Sequence, residues 1–178
     1  MFEKLEKVIN IDDTKFVFFH ILLPHDPYVF DSNGNFIQYE EAKLLSEESL
    51  YIKQLKFTNL KIINLIDTIL ANSELSPIII IQSDEGPYPR GYNNKNPNPS
   101  NYSLSNLRQK FGIINAYYLP EVDTSVLYNS ITPVNSFRLI LNLYFEIDIH
   151  LLPDENYTSN YVYYYKYKNV TKYIREYE

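Results

Sequence analysis

Two apolar runs on either side of a long helical pattern constrain this chain more than any other feature. Residues 15–23 (KFVFFHILL) and residues 77–83 (PIIIIQS) are apolar at nearly every position, which is typical of strands buried on both faces of a sheet. Between them, apolar residues recur at helical spacing from about residue 47 to residue 72, and Ser46 can cap the start of this helix. A strand, a long helix and a second strand in this order predict a parallel βαβ unit.

The rest of the chain extends this α/β pattern. Three more elements are predicted: a strand at residues 112–119, a helix from Thr132-Pro133 to about residue 145, and a late strand at residues 161–168. A loop rich in Pro and Asn, residues 86–105, precedes them. We therefore expect one α/β domain over residues 1–178, with a mostly parallel sheet flanked by helices.

The composition argues against several classes of protein. A net charge of −6 and the lack of any basic run disfavour a nucleic-acid partner, because phosphate binding needs clustered Lys and Arg. The chain has no cysteine, so disulfides and thiolate metal sites are excluded. The longest apolar stretch, residues 16–23, is far shorter than the ~20 residues of a membrane helix. We expect that these 178 residues make no membrane contact of their own.

Polar side chains follow the first two predicted strands. His25 comes after the first strand, and Asp84 and Glu85 come directly after the second. Ligands bind beyond the carboxyl ends of parallel strands, so neighbouring strands would bring these three residues to one edge. An imidazole and two carboxylates can bind a divalent metal or perform acid–base chemistry, although an acidic pair after a strand can simply cap the next turn. We expect His20, inside the strand, to be a packed core residue.

Two segments carry a more specific signal, FVFFHILLPHDPY at residues 16–28 and IIIIQSDEG at residues 78–86. The first resembles the strand and "PHxPY" segment of the sulfatase family, and the second resembles its later "SDHG" segment. That family belongs to the alkaline phosphatase superfamily and is related to lipoteichoic acid synthases and phosphoethanolamine transferases. The resemblance extends from residue 15 to about residue 157 and implies an alkaline-phosphatase-like fold, here incomplete.

The resemblance implies roles for the three residues. The family residue that matches His25 contacts the sulfate or phosphate of the substrate, and the one that matches Asp84 is a metal ligand. Glu85 is a departure, because the family commonly has His or Asn there. A carboxylate at this position favours Mn²⁺, Mg²⁺ or Ca²⁺ over Zn²⁺. A glutamate at position 85 is also consistent with a metal site that has been lost.

A second departure is the missing nucleophile. The family places a Thr, or a Ser or Cys converted to formylglycine, in an N-terminal half, and nothing before residue 15 can supply it. We therefore expect the chain to be the C-terminal part of a metal-dependent hydrolase or phosphotransferase that acts on anionic sulfate or phosphate esters. The chain alone should be inactive. Relatives of this type are frequently anchored by transmembrane helices that precede the enzymatic domain, which would leave this part soluble and outside the cytoplasm; the localisation of this chain itself stays open.

Two other functions remain open. The chain could be a non-catalytic binding module or pseudoenzyme that retains the fold, which the Glu85 departure and the missing nucleophile favour. It could also be a self-contained phosphatase with Ser83, Thr132 or Ser136 as the nucleophile, although none has a base adjacent in sequence. If the chain is an isolated half of the family's domain, the split sheet exposes edge strands and apolar surface, which predicts self-association.

Overall fold

A computed structural model describes residues 2, 5, 7–87, 103–159 and 165–175 of the chain. These residues group into two compact units, Met1–Pro77 and Ile78–Glu178, and each unit is described by itself. Within the described ranges, no helix is long and apolar enough to cross a membrane. The expectation of one domain over residues 1–178 stays a prediction.

The first unit is built on one long helix. A 3-10 turn at Lys7–Asn10 and a short helix α1, Tyr39–Ala42, precede helix α2, Glu47–Asn72. The Ser46 hydroxyl accepts a hydrogen bond from the Ser49 amide at 3.1 Å, which satisfies one of the free N–H groups at the start of the helix. The predicted helix and its cap are therefore confirmed.

The prediction of a first strand at residues 15–23 is wrong for this structure. The segment has no regular secondary structure, and Phe18 and Leu22 are 80% and 74% exposed. His20, predicted to be a core residue, is exposed as well. The physical reason is that an apolar run becomes a strand only when a neighbouring strand pairs with its backbone groups. No strand among the described residues pairs with this segment.

The core of the first unit lies between α2 and residues 24–37. A turn at Asp31 to Asn35, closed by the Asp31 amide donating to the Asn35 carbonyl at 2.9 Å, uses Gly34 at a positive φ of 88°. The ring of Phe30 lies 5.2 Å from that of Phe57 on α2. Segment 24–37 therefore packs on one face of the long helix.

The second unit contains two small antiparallel sheets. Strand β1, Ile79–Gln82, pairs with β2, Asn115–Tyr118, so that Ile79 lies opposite Tyr118 and Gln82 opposite Asn115. Strands β3, Tyr157–Thr158, and β4, Lys168–Asn169, form the other sheet. Strands thus occur inside the predicted segments 77–83 and 112–119, but the prediction of a mostly parallel, alkaline-phosphatase-like sheet flanked by helices is wrong. Apolar runs indicate burial, not the direction of the neighbouring strand.

Three helices complete the second unit. They are α3 at Leu104–Phe111, α4 at Pro133–Phe145 and α5 at Thr171–Arg175, and a 3-10 turn lies at Thr124–Val126. The start of α4 at Pro133 is confirmed, but the Thr132 side chain does not cap it. Most of the predicted loop 86–105 lies outside the described residues, as do residues 161–164 of the predicted late strand.

Candidate functional site

The His25 side chain projects from a tight loop in the first unit. The His25 amide donates to the Leu22 carbonyl at 2.7 Å, and the peptide bonds before Pro24 and Pro27 are cis. The imidazole Nδ1 lies 2.6 Å from the Asp26 carbonyl oxygen and 3.0 Å from its carboxylate. These contacts hold the ring at Nδ1. The rest of the side chain, which is 62% exposed, is open to solvent.

These contacts decide which nitrogen carries the proton. Carbonyl and carboxylate oxygens only accept hydrogen bonds, so Nδ1 must be the donor. In the neutral ring Nε2 is then an acceptor, and it becomes a donor only when the imidazole is protonated. His25 can therefore donate to an anion through Nε2 as an imidazolium.

A buried glutamine of α2 forms hydrogen bonds with the backbone of this loop. Gln54 is 0% exposed, and its Nε2 donates to the carbonyls of Pro24 at 3.3 Å and His25 at 2.9 Å. Its Oε1 accepts from the amides of Val29 at 2.9 Å and Phe30 at 3.2 Å. One side chain thus joins both ends of the loop to the long helix.

The tip of the loop packs on the same helix. The Tyr28 ring meets the Tyr51 ring at 5.8 Å in an edge-to-face arrangement. Desolvation by burial, with the nearby Glu47 and Asp26 carboxylates, raises the pKa of the Tyr28 hydroxyl, which therefore stays neutral near pH 7. The loop that carries His25 is consequently fixed to α2 by an aromatic contact as well as by Gln54.

The Asp84–Glu85 pair lies in the second unit, where the chain leaves β1. Before the pair, the Ser83 amide donates to the Ile114 carbonyl at 3.1 Å, and the Ser83 hydroxyl accepts from the Ile114 amide at 3.2 Å. After it, the Gly86 amide donates to the Lys110 carbonyl at 2.8 Å. A Cβ at Gly86 would lie 2.1 Å from the Gln109 carbonyl oxygen, so only glycine fits this approach.

The two carboxylates differ in their surroundings. Asp84 is exposed, and its Oδ1 accepts from the Glu85 amide at 3.0 Å. Glu85 forms an ion pair with Lys110 Nζ at 2.5 Å, and the Lys110 side chain is only 15% exposed. The Asp84 carboxylate is therefore open to solvent, whereas the Glu85 carboxylate meets an ammonium at Oε2. Their roles as metal ligands stay predictions.

The predicted meeting of His25 with Asp84 and Glu85 stays a prediction. His25 belongs to the first unit and the carboxylates to the second. The described residues contain no pair of parallel strands that would bring the three to one sheet edge. Within the same ranges, no group of three His, Asp or Glu side chains is arranged to hold a metal ion.

The three hydroxyls considered as nucleophiles are held in hydrogen bonds. Ser136 is fully buried, and its Oγ lies 2.8 Å from Gln82 Nε2 and 2.6 Å from the Tyr117 hydroxyl. Thr132 Oγ1 donates to Asp154 at 2.6 Å, and Ser83 Oγ accepts from an amide. Thr132 donates directly to a carboxylate, that of Asp154, but this carboxylate is a weak base.

Asp154 is a weak base because hydrogen bonds stabilise its charge. Desolvation acts to raise its pKa, but hydrogen bonds from Thr132, Tyr128 and Asn135 outweigh it and lower the pKa below that of an ordinary carboxyl. The Thr132 amide, at the start of α4, also donates to Asp154 at 2.7 Å. Asp154 therefore satisfies one of the free amides at the start of α4, where the Thr132 side chain makes no cap hydrogen bond.

Three residues that organise these sites were not predicted from the sequence. They are Gln54, Lys110 and Asp154, and each interacts with a residue far away in the chain. Gln54 had a detectable signal, because it follows Tyr51 and precedes Thr58 on one helical face. No local pattern pairs Lys110 with Glu85 or Asp154 with Thr132.

Comparison with known proteins gives no match. No family model fits the chain, and no curated protein or solved structure is significantly similar to it.

Proposed function

We propose that this chain is the C-terminal part of a metal-dependent hydrolase or phosphotransferase that acts on sulfate or phosphate esters, and that His25 binds the anionic ester group. The proposal follows from the resemblance of residues 16–28 and 78–86 to the sulfatase family. The chain alone should lack turnover, because the family's nucleophile has no counterpart in it. Asp84 would supply one ligand to a divalent metal, with other ligands from the missing half.

The observation that carries the proposal is the way in which the His25 ring and its loop are held. The His25 ring is held at Nδ1, its side chain is 62% exposed and its loop is fixed to a helix, so Nε2 is the ring nitrogen that can meet a ligand. In the protonated ring Nε2 is a hydrogen-bond donor. Such a donor suits a tetrahedral oxyanion. Because the loop is ordered within the first unit, anion binding can be tested without the rest of the site.

The anion-binding role predicts a specific NMR response. Titrating inorganic sulfate, and phosphate in parallel, into the 178-residue chain should shift the His25 ring resonances in a saturable way. His25→Ala should lower the affinity by about tenfold or more, the scale of one lost charged contact. His150→Ala, which removes another exposed histidine, is the control. Equal binding by both variants would contradict the role of His25.

The metal role predicts local paramagnetic broadening. Mn²⁺ should broaden the amide signals around Asp84, because a carboxylate oxygen is a ligand that Mn²⁺ accepts. Asp84→Asn should remove this broadening, whereas Asp67→Asn, on the exposed face of α2, should leave it intact. Broadening spread evenly over all exposed carboxylates would show that Asp84 has no special affinity.

The Glu85–Lys110 ion pair favours a second candidate, a non-catalytic binding module. The lysine ammonium beside Glu85 offsets the negative charge that would attract a metal ion there. Lys110→Gln frees the Glu85 carboxylate and separates the candidates. If Mn²⁺ binds at Asp84 only in this variant, the native residues disfavour the metal, and the non-catalytic function is the better description.

A further inference from the structure

We propose that Gln54 is a positioning residue that holds His25 in the orientation needed to bind an anion. The nature of the ligand rests on the proposed function. The positioning of the His25 ring rests on the contacts of its loop with Gln54, Leu22 and Asp26, and not on the ligand.

The Gln54 amide uses its whole hydrogen-bonding capacity on the loop. A glutamine amide has two N–H donors and one oxygen with two lone pairs. In Gln54 both donors point at carbonyls and the oxygen accepts two backbone amides. Backbone amides only donate and carbonyls only accept, so the orientation of the side-chain amide is fixed by its partners.

These bonds act on the peptide groups that flank His25. The Pro24 carbonyl belongs to the peptide group before His25, and the His25 carbonyl to the one after it. The His25 amide is also held by the Leu22 carbonyl. With both flanking peptide groups fixed, only the two side-chain torsions of His25 remain free, and the contact of Nδ1 with Asp26 restricts those.

A merely structural role would be met more simply by an apolar residue. Burying an amide is costly unless all of its hydrogen bonds are made, and the neighbouring positions of α2 that face residues 24–37 include the aromatic Tyr51 and Phe57. The advantage of an amide over an apolar residue at this position is that its hydrogen bonds fix the loop. Thr58 provides the comparison, because it is also buried, one turn further on, but its hydroxyl donates to the Gln54 carbonyl within the helix.

The test uses two Gln54 variants and one control in the full chain. Gln54→Leu removes all of the contacts. Gln54→Glu keeps the acceptor for Val29 and Phe30 but loses the donors to Pro24 and His25. Thr58→Val is the matched buried control. Thermal unfolding verifies that each variant is folded, and NMR then measures the His25 ring shifts and the affinity for inorganic sulfate.

Both Gln54 variants should weaken sulfate binding by about tenfold and move the His25 ring shifts toward those of an unrestrained histidine. Thr58→Val should change neither. Unchanged ring shifts in the folded Gln54 variants would overturn the proposal. If the variants do not fold, hydrogen exchange in the unmodified chain decides, since Val29 and Phe30 amides that exchange without protection would overturn it too. If the unmodified chain binds no sulfate, the proposed function fails, and the ring shifts still decide the positioning.

Discussion

Several of the most enclosed side chains of this protein are hydrogen-bonding groups. Gln54, Asn135 and Ser136 are completely buried, and each bonds to partners within its own unit. A buried polar group that loses its partner costs about 1–3 kcal/mol, so these residues restrict the geometry of the backbone around them. Apolar periodicity does not reveal such residues, because their stabilising effect depends on partners that are far away in sequence. His25 could be selected from sequence. The helical spacing of Gln54 from Tyr51 and Thr58 gave a signal for its face of the helix, but not for its hydrogen-bond partners.

Asp154 should make the stability of the protein depend on pH. Its pKa is lower in the folded state than in the unfolded chain, so its stabilising effect is present above about pH 4 and is lost as the pH falls through the folded-state pKa. Asp154→Asn should lower the free energy of unfolding by about 1–3 kcal/mol at pH 7. The difference from the unmodified protein should shrink in acid.

Chemical denaturation at pH 7 and pH 3 measures this difference. Asp148→Asn is the control, because Asp148 is an exposed aspartate of the same unit, and its effect should stay within about 0.5 kcal/mol. A gap between Asp154→Asn and the unmodified protein that is unchanged at pH 3 would show that the charge of Asp154 is not the stabilising feature.

At the scale of elements, helices were predictable and strand pairing was not. Helix α2 and the start of α4 were anticipated because a cap, a proline at the first position and a 3.6-residue period are all local signals. The apolar runs at residues 77–83 and 112–119 marked strands for the same reason. Direction and partner depend on contacts far away in sequence, so the antiparallel pairing of β1 and β2 left no local signal. The run at residues 15–23 has strand composition but no partner strand in the described part of the chain.

At the scale of the whole molecule, the main consequence of this arrangement is apolar surface that is exposed to water. Phe18 and Leu22 are large apolar residues that water can reach, and they lie in a segment without regular secondary structure. Exposed apolar patches of this kind favour association between molecules. The net charge of −6 opposes association through mutual repulsion, and this opposition weakens as salt screens the charge.

We therefore predict self-association that increases with protein concentration and with salt. The double variant Phe18→Ser, Leu22→Ser should shift the distribution toward monomer in sedimentation velocity experiments. A matched double variant at exposed apolar positions of α2, Leu60→Ser and Ile63→Ser, is the control for a general loss of apolar surface. A strictly monomeric chain at high concentration and high salt would contradict the prediction.

The antiparallel pairing of β1 with β2 also has a consequence for the order in which the chain folds. Gln82 and Asn115 are partners across the sheet although they are 33 positions apart in sequence, so pairing must first close a long loop. Contacts in α2 join residues only one turn apart and need no such closure. We expect α2 to form early and the β1–β2 sheet to form late, because slow search over long sequence separations limits the rate at which non-local strands meet.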